Sequence, residues 1–279
     1  MSEQDAIAGP GTAPTAPRTA GTMFAALYGE LIPYSWHDPA SEHDAYQLFH
    51  QRSLAMGWLD ERASMGEASG LWAMNDAGWG HPRNASETDL ISWFQVEASG
   101  VAGDRPLPVQ PFLRCAWDTT AHIGTVRLSA AQVLLPVQGL DATARPPQAA
   151  VPSLQTIDWF GEHDPQARAT VTIRVDIGQD PSVSTSATQL VDCLAQLDQS
   201  LFGFRADEPA SPDPAPAPPF DDSFWNGPSR HALTLRGELP EWSCDAVGWV
   251  AETVADCAAH LGVRAPLLLT VTRNRAVPA

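Results

Sequence analysis

The sequence predicts an α+β fold: a mixed, largely antiparallel sheet covered by amphipathic helices, with an aromatic-rich helical segment near the N-terminus and a duplicated β-α unit in the C-terminal half. Three observations carry this. Residues 89–137 alternate with a period of two, as half-buried strands do. Two later stretches step by three and four, as amphipathic helices do. Connections between the alternating runs are short and carry Gly or Asp, which suits antiparallel neighbours.

Residues 1–22 are rich in Ala, Pro, Gly and Thr and read as a flexible tail without a secretory leader. From Met23 to about Gly80 the chain reads helical and aromatic. Phe24, Leu27, Tyr28 and Leu31 give one short apolar face, stopped by Pro33. A second helix follows Pro39, with Ser41 as its cap and Glu42 and Asp44 in its first turn; Tyr46, Phe49 and Leu54 recur along it.

The next run is a strand. Leu90, Phe94 and Val96 share one face, and Ile91, Trp93, Gln95 and Glu97 the other. Phe112–Trp117 reads as a second strand and Ile123–Val137 as one long strand or a bent pair. The first large portion is therefore 23–138, followed by a Pro- and Ala-rich linker with short elements over 139–167.

Residues 168–279 read as paired β-α units. Strand Val171–Ile177 leads to a helix with Ala187, Leu190, Leu194, Leu197 and Leu201 inward. Strand Ala232–Leu235 leads to a helix with Val247, Val250, Val254, Cys257 and Leu261 inward, 60 residues later position for position, while an offset of 64, which aligns Asp192-Cys193 with Asp256-Cys257, competes with it. Gly262 caps the second helix, and strand Leu267–Val271 closes the sheet. Between the units, 207–229 is a Pro-rich connector. Its three aromatics, Phe220, Phe224 and Trp225, are wasteful in a free linker and should dock on the protein.

Composition excludes more than it selects. The 279 residues contain no lysine; all sixteen basic side chains are arginine. No lysine Schiff base, P-loop lysine or lysine general base is available. GC-rich coding explains the bias, and freedom from exposed amines would also suit a protein that handles electrophiles. A net charge of −17, with arginines scattered singly, repels nucleic acid and anionic membrane surfaces. No run of about 18 apolar residues spans a membrane. Cys115, Cys193, Cys244 and Cys257 stand far apart, as reduced thiols of a cytoplasmic protein do. The glycine, zincin and nucleophile-elbow motifs of nucleotide-binding folds, metalloproteases and α/β-hydrolases are absent. No cofactor is expected. No metal is expected either: His43 and His50 sit two helical turns apart rather than one.

The strongest site candidate spans Trp72–Glu97. Glu97 shares a strand face with Trp93, and a carboxylate beside an indole in a low-dielectric pocket suits a general base. His81 would complete the catalytic pair. Trp79, Arg83, Trp93 and Arg114 would bind substrate, with an arginine fixing a carboxylate bidentately. The expected function is a cofactor-independent biosynthetic enzyme acting on a small aromatic substrate. Its reaction would be an acid–base condensation or cyclisation of an aromatic amine with an aldehyde, of Pictet–Spengler type. The alternatives are an acidic, non-catalytic immunity or adaptor protein, or a ligand-binding protein. Expected partners are the small aromatic molecule and, as a homodimer, a second copy of the chain.

Overall fold

A computed structural model describes residues 21–37, 44–60, 70–80, 89–99, 106–140, 168–179, 188–194, 202–206 and 215–274. Among them, the first half runs β1 (Gly21–Pro33), α1 (Ala45–Ala55), β2 (Trp72–Trp79), β3 (Leu90–Ala98), α2 (Val109–Ile123) and β4 (Gly124–Leu135). The second half runs β5 (Ala169–Asp176), α3 (188–194), β6 (Gly203–Ala206), β7 (Ala232–Leu239), α4 (Cys244–His260) and β8 (Leu267–Arg273). The fold is α+β, and every strand pairing is antiparallel.

The sheet order is β2-β3-β1-β4-β8-β5-β7-β6. Each half is thus a strand–helix–strand–strand–helix–strand unit with the same internal order, which is the ferredoxin-like or split βαβ arrangement. The two units join through their last strands, with Ala130 opposite Thr272 and Leu135 opposite Leu267.

The sheet has two covered faces. On one, Met23, Ala25 and Leu27 of β1 join Phe94, Val133, Ile173 and Leu269 beneath the helices. On the other, Phe24 meets Leu134, Leu268 and Trp225, and Ala26 and Tyr28 meet Ala130. This corrects the helix expected over 24–31. A central strand buried on both sides reads as a near-continuous apolar run, and its chance three-four spacing imitates a helix. Trp72–Trp79 is likewise a strand rather than part of a helical segment. At Gly29, φ is +145°, the registers of β1 shift, and a Cβ would meet the Arg127 carbonyl oxygen at 2.1 Å. A glycine is required at that bulge.

The strand expected at Phe112–Trp117 is also corrected. These residues lie inside α2, whose buried positions Phe112, Leu113, Ala116, Thr119, Thr120 and Ile123 follow the helical period. Six apolar-rich residues taken alone are too few to separate a strand from a buried helix. In α1 the cap is Asp44, which accepts from the Gln47 amide at 2.6 Å. Phe49 of α1 stacks on Phe94 at 4.7 Å and meets Trp72 and Phe112, so much of the N-terminal aromatic content is core.

In α4, Gly262 turns with φ +85° just beyond the end, as expected, and at the other end the Ser243 side chain accepts from the Ala246 amide. The helix is buried nearly all round because it lies against the sheet and α2. A Cβ at Gly248 would come within 2.6 Å of Gln110 Cα, so only glycine lets the two helices approach this closely.

The aromatic end of the connector docks as expected, and 207–214 lie outside the described residues. Residues 215–229 cross the face of the sheet opposite α1, α2 and α4. The Tyr28 hydroxyl donates to the Ala217 carbonyl at 3.0 Å, and Gln132 Nε2 donates to the Pro216 carbonyl at 3.1 Å. Phe220 lies 4.4 Å from Phe24, ring to ring, and Trp225 is buried. Asp176 pins the far end by accepting from Ser229, Arg174 and the Gly178 amide. The tail over 1–20, the linker over 141–167 and the expected helix start at Ser41–His43 lie outside the described residues.

Candidate functional site

The sequence-predicted site residues fall on two sides of the sheet. Glu97 and Trp93 share the face of β3 opposite α1 and α2, as alternation requires. Glu97 Oε2 accepts from Thr22 Oγ1 at 2.9 Å across the β1–β3 pair. The Trp93 ring packs over Gly78, where a Cβ would meet its Nε1 at 2.7 Å, and 6.3 Å from Phe24.

Trp79 is on the other face. It pairs with Ser92, whose hydroxyl lies 2.8 Å from that of Thr120 on α2. Arg114 is also on the helix side, on α2 and not on a neighbouring strand, and its partner is Asp245 rather than Glu97. His81 and Arg83 lie outside the described residues. The ends of their connection, Gly80 and Asp89, sit at the start of β3, whereas Glu97 is near its end. Seven residues of strand separate the two, about 23 Å at ~3.3 Å per residue. The geometry therefore brings Glu97 and Trp93 onto one face and leaves Trp79 and Arg114 on the other.

Arg114 does line a groove, in the helix layer. Its volume is about 370 Å³, and it opens between α1, α2 and the start of α4. Arg52 of α1 bonds Asp118 of α2, with Nε 2.9 Å from Oδ2. Arg114 Nε lies 2.8 Å from Asp245 Oδ1. Two indoles, Trp117 and Trp242, complete the walls. Trp242 is held by donating Nε1–H to the Leu128 carbonyl at 2.8 Å.

Local structure explains the assembly. Arg114, Trp117 and Asp118 stand at i, i+3 and i+4 and share one face of α2. Asp245 sits in the first turn of α4, where the helix dipole favours a carboxylate. The hydrogen bond from Arg114 to Asp245 raises the guanidinium pKa further, so Arg114 carries its charge throughout the working range. Cys244 at the groove floor is buried, and burial pushes its thiol up. Its thiol stays protonated and is no nucleophile.

Each arginine is about two-fifths exposed and uses only part of its five-donor fork on its aspartate. The groove thus offers cationic donors between two aromatic walls, a combination suited to a planar anion. Of its main residues, sequence reasoning found only Arg114. Reading 109–123 as a helix would have added Trp117 and Asp118 by spacing. Arg52, Trp242 and Asp245 come from distant segments and carry no local signal. Among the described residues, no group of three or more His, Cys, Asp or Glu side chains is placed to hold a metal, and no helix is long and apolar enough to cross a membrane.

Comparison by sequence finds no matching family model and no matching curated protein.

Proposed function

We propose that this chain binds a small, planar, carboxylate-bearing aromatic molecule in the groove between α1, α2 and α4. The observation that carries the reading is the meeting of two indoles and two arginine–aspartate pairs in one groove of about 370 Å³, a volume within the ~300–1,000 Å³ range of small-molecule sites. It keeps the aromatic ligand and the carboxylate-binding role of Arg114 expected from the sequence, and it moves the site from Glu97 to the helix layer. Each groove carboxylate already accepts from an arginine, so neither is aimed at a ligand as a base. Binding without turnover is accordingly preferred over the condensation or cyclisation chemistry drawn from the sequence.

The duplicated β-α unit of the C-terminal half fits the same picture. We read the two stretches 60 residues apart as the two strand–helix halves of the second unit. Their second helix supplies Asp245 to the groove.

The test uses the full chain. Native mass spectrometry of protein purified from its own source should show a retained small molecule. Titration with indole-3-carboxylate, followed by tryptophan fluorescence, should show saturable binding that Arg114→Ala weakens by roughly 10–100-fold, the loss of one charge-assisted hydrogen bond. Binding unchanged in both Arg114→Ala and Trp242→Ala would remove the groove from consideration.

A second reading, an acidic protein that docks on a protein partner, is favoured by a specific surface. Trp36 is 56 % exposed, stacks on Tyr34 and meets His122 at 5.5 Å. Exposed aromatics on a chain of charge −17 suit a basic partner. Trp36→Ala should then abolish co-purification of a basic protein from the native source while leaving the indole-3-carboxylate titration intact.

A further inference from the structure

The two unit-two helices bring together cysteines that lie 64 positions apart in sequence. Cys193 on α3 and Cys257 on α4 have their Sγ atoms 2.7 Å apart. That is nearer than unbonded sulfurs usually approach and close to the ~2.05 Å of a disulfide bond. Their surroundings differ. Cys257 is buried, whereas Cys193 is partly open to solvent. His260, one turn beyond Cys257, is about half exposed and holds its Nδ1 2.9 Å from the Asp256 carbonyl.

We propose that Cys193 and Cys257 are a reversible dithiol–disulfide site whose substrate is a low-molecular-weight disulfide. Cys193 is the attacking thiolate and Cys257 the resolving thiol. The Cys193 thiolate attacks one sulfur of RS–SR, forming Cys193–S–S–R and releasing RS⁻. The Cys257 thiol gives its proton to that RS⁻ and attacks Cys193 Sγ, which releases the second RS⁻. That thiolate takes a proton from water, restoring the one Cys193 lost on ionising. The protein dithiol is oxidised by two electrons and the small disulfide is reduced to two thiols; a small dithiol reverses both steps.

Chemistry supports this division of roles. A hydrogen bond from Cys257, aided by the charge of His260 and opposed by burial and Asp256, brings the Cys193 thiol down to about 7. The bond to Cys193 and burial push Cys257 up. A partly exposed thiol that ionises near neutrality is the one that reacts first. The other two cysteines are internal controls: burial pushes Cys115 up to about 12 and Cys244 higher still, and neither is open to solvent.

The reduced full chain is incubated with oxidised glutathione, quenched with acid, and its thiols are counted after denaturation. The count should fall from four to two, with peptide mapping placing the bond at Cys193–Cys257. Cys257→Ser should stop at the mixed disulfide and retain one glutathione on Cys193. Cys193→Ser should keep all its thiols. Circular dichroism reports whether each variant is folded, and the wild-type count stands by itself if one is not. Four thiols remaining in the wild-type chain, or a bond that involves Cys115 or Cys244, would overturn the proposal.

Discussion

Glu252 is a buried carboxylate with a defined task. It sits on α4 and its Oε1 accepts from the Gln110 amide at 2.8 Å. That amide is in the first turn of α2, a helix whose cap position is Pro108 and which has no side-chain cap of its own. One helix therefore caps another. Glu252→Ala should cost ~1–3 kcal/mol in a denaturant titration, because it removes a charge-assisted hydrogen bond to the first turn of α2. Glu97 contrasts with it. Its bond to Thr22 is local to the sheet and on the face opposite the groove, so Glu97→Gln should leave indole-3-carboxylate affinity unchanged. A fall of ~10²–10⁴ in a measured turnover would instead restore Glu97 as a base. The buried thiols set the alkaline limit. Cys115 ionises at about 12 in the native state, above its ordinary value of 9.0, because burial disfavours the thiolate. Between those values the native state keeps a proton that the unfolded chain has released. The contribution of this thiol to stability is full below pH 9 and falls as pH rises, by ~1.4 kcal/mol per pH unit for each such thiol. Comparing denaturation midpoints at two alkaline pH values checks this, and Cys115→Ala should make the dependence shallower.

The elements show where sequence reasoning succeeds. Leu194 and Val254, expected inward from their spacing, are both buried in the same core beneath the helices. Leu194→Ala should cost ~2–4 kcal/mol and Val254→Ala somewhat less, measured by chemical denaturation. The segment over 215–229 gives a sharper test. Trp225→Ala removes the ring that meets Phe24, Leu134 and Leu268. It should cost ~3–5 kcal/mol and should open that segment to proteolysis before the rest of the chain unfolds. Strands with one wet face, such as β3, were legible, and so was α4, with its inward stripe and terminal glycine. Two elements were not. β1 is covered on both faces, so its alternation vanishes and a helical spacing appears by accident. In α2, Phe112–Trp117 alone lacks the Thr119, Thr120 and Ile123 that complete the helical stripe. The site was less legible than the fold because it joins α1, α2 and α4 across 193 positions, from Arg52 to Asp245. Only the part on α2 leaves a pattern in one stretch of sequence.

At the scale of the whole molecule, each βαββαβ unit ends on the strand that faces the other. β4 hydrogen-bonds β8 along Ala130–Leu135, and Val133, Leu134 and Leu135 are buried there. One buried apolar cluster takes in Met23 and Val133 of the first unit and Ile173 and Leu269 of the second, so the two units share a core. This has a consequence for the nascent chain. The ribosome delivers β4 well over a hundred residues before β8, a lag of roughly 7–30 s at ~5–20 residues per second. During that interval the first unit has an edge strand with open amide and carbonyl groups and a greasy flank, the kind of edge that recruits strangers. A chain stopped after Leu140 should accumulate in inclusion bodies, and supplying residues 168–279 on a second plasmid should draw it back into the supernatant.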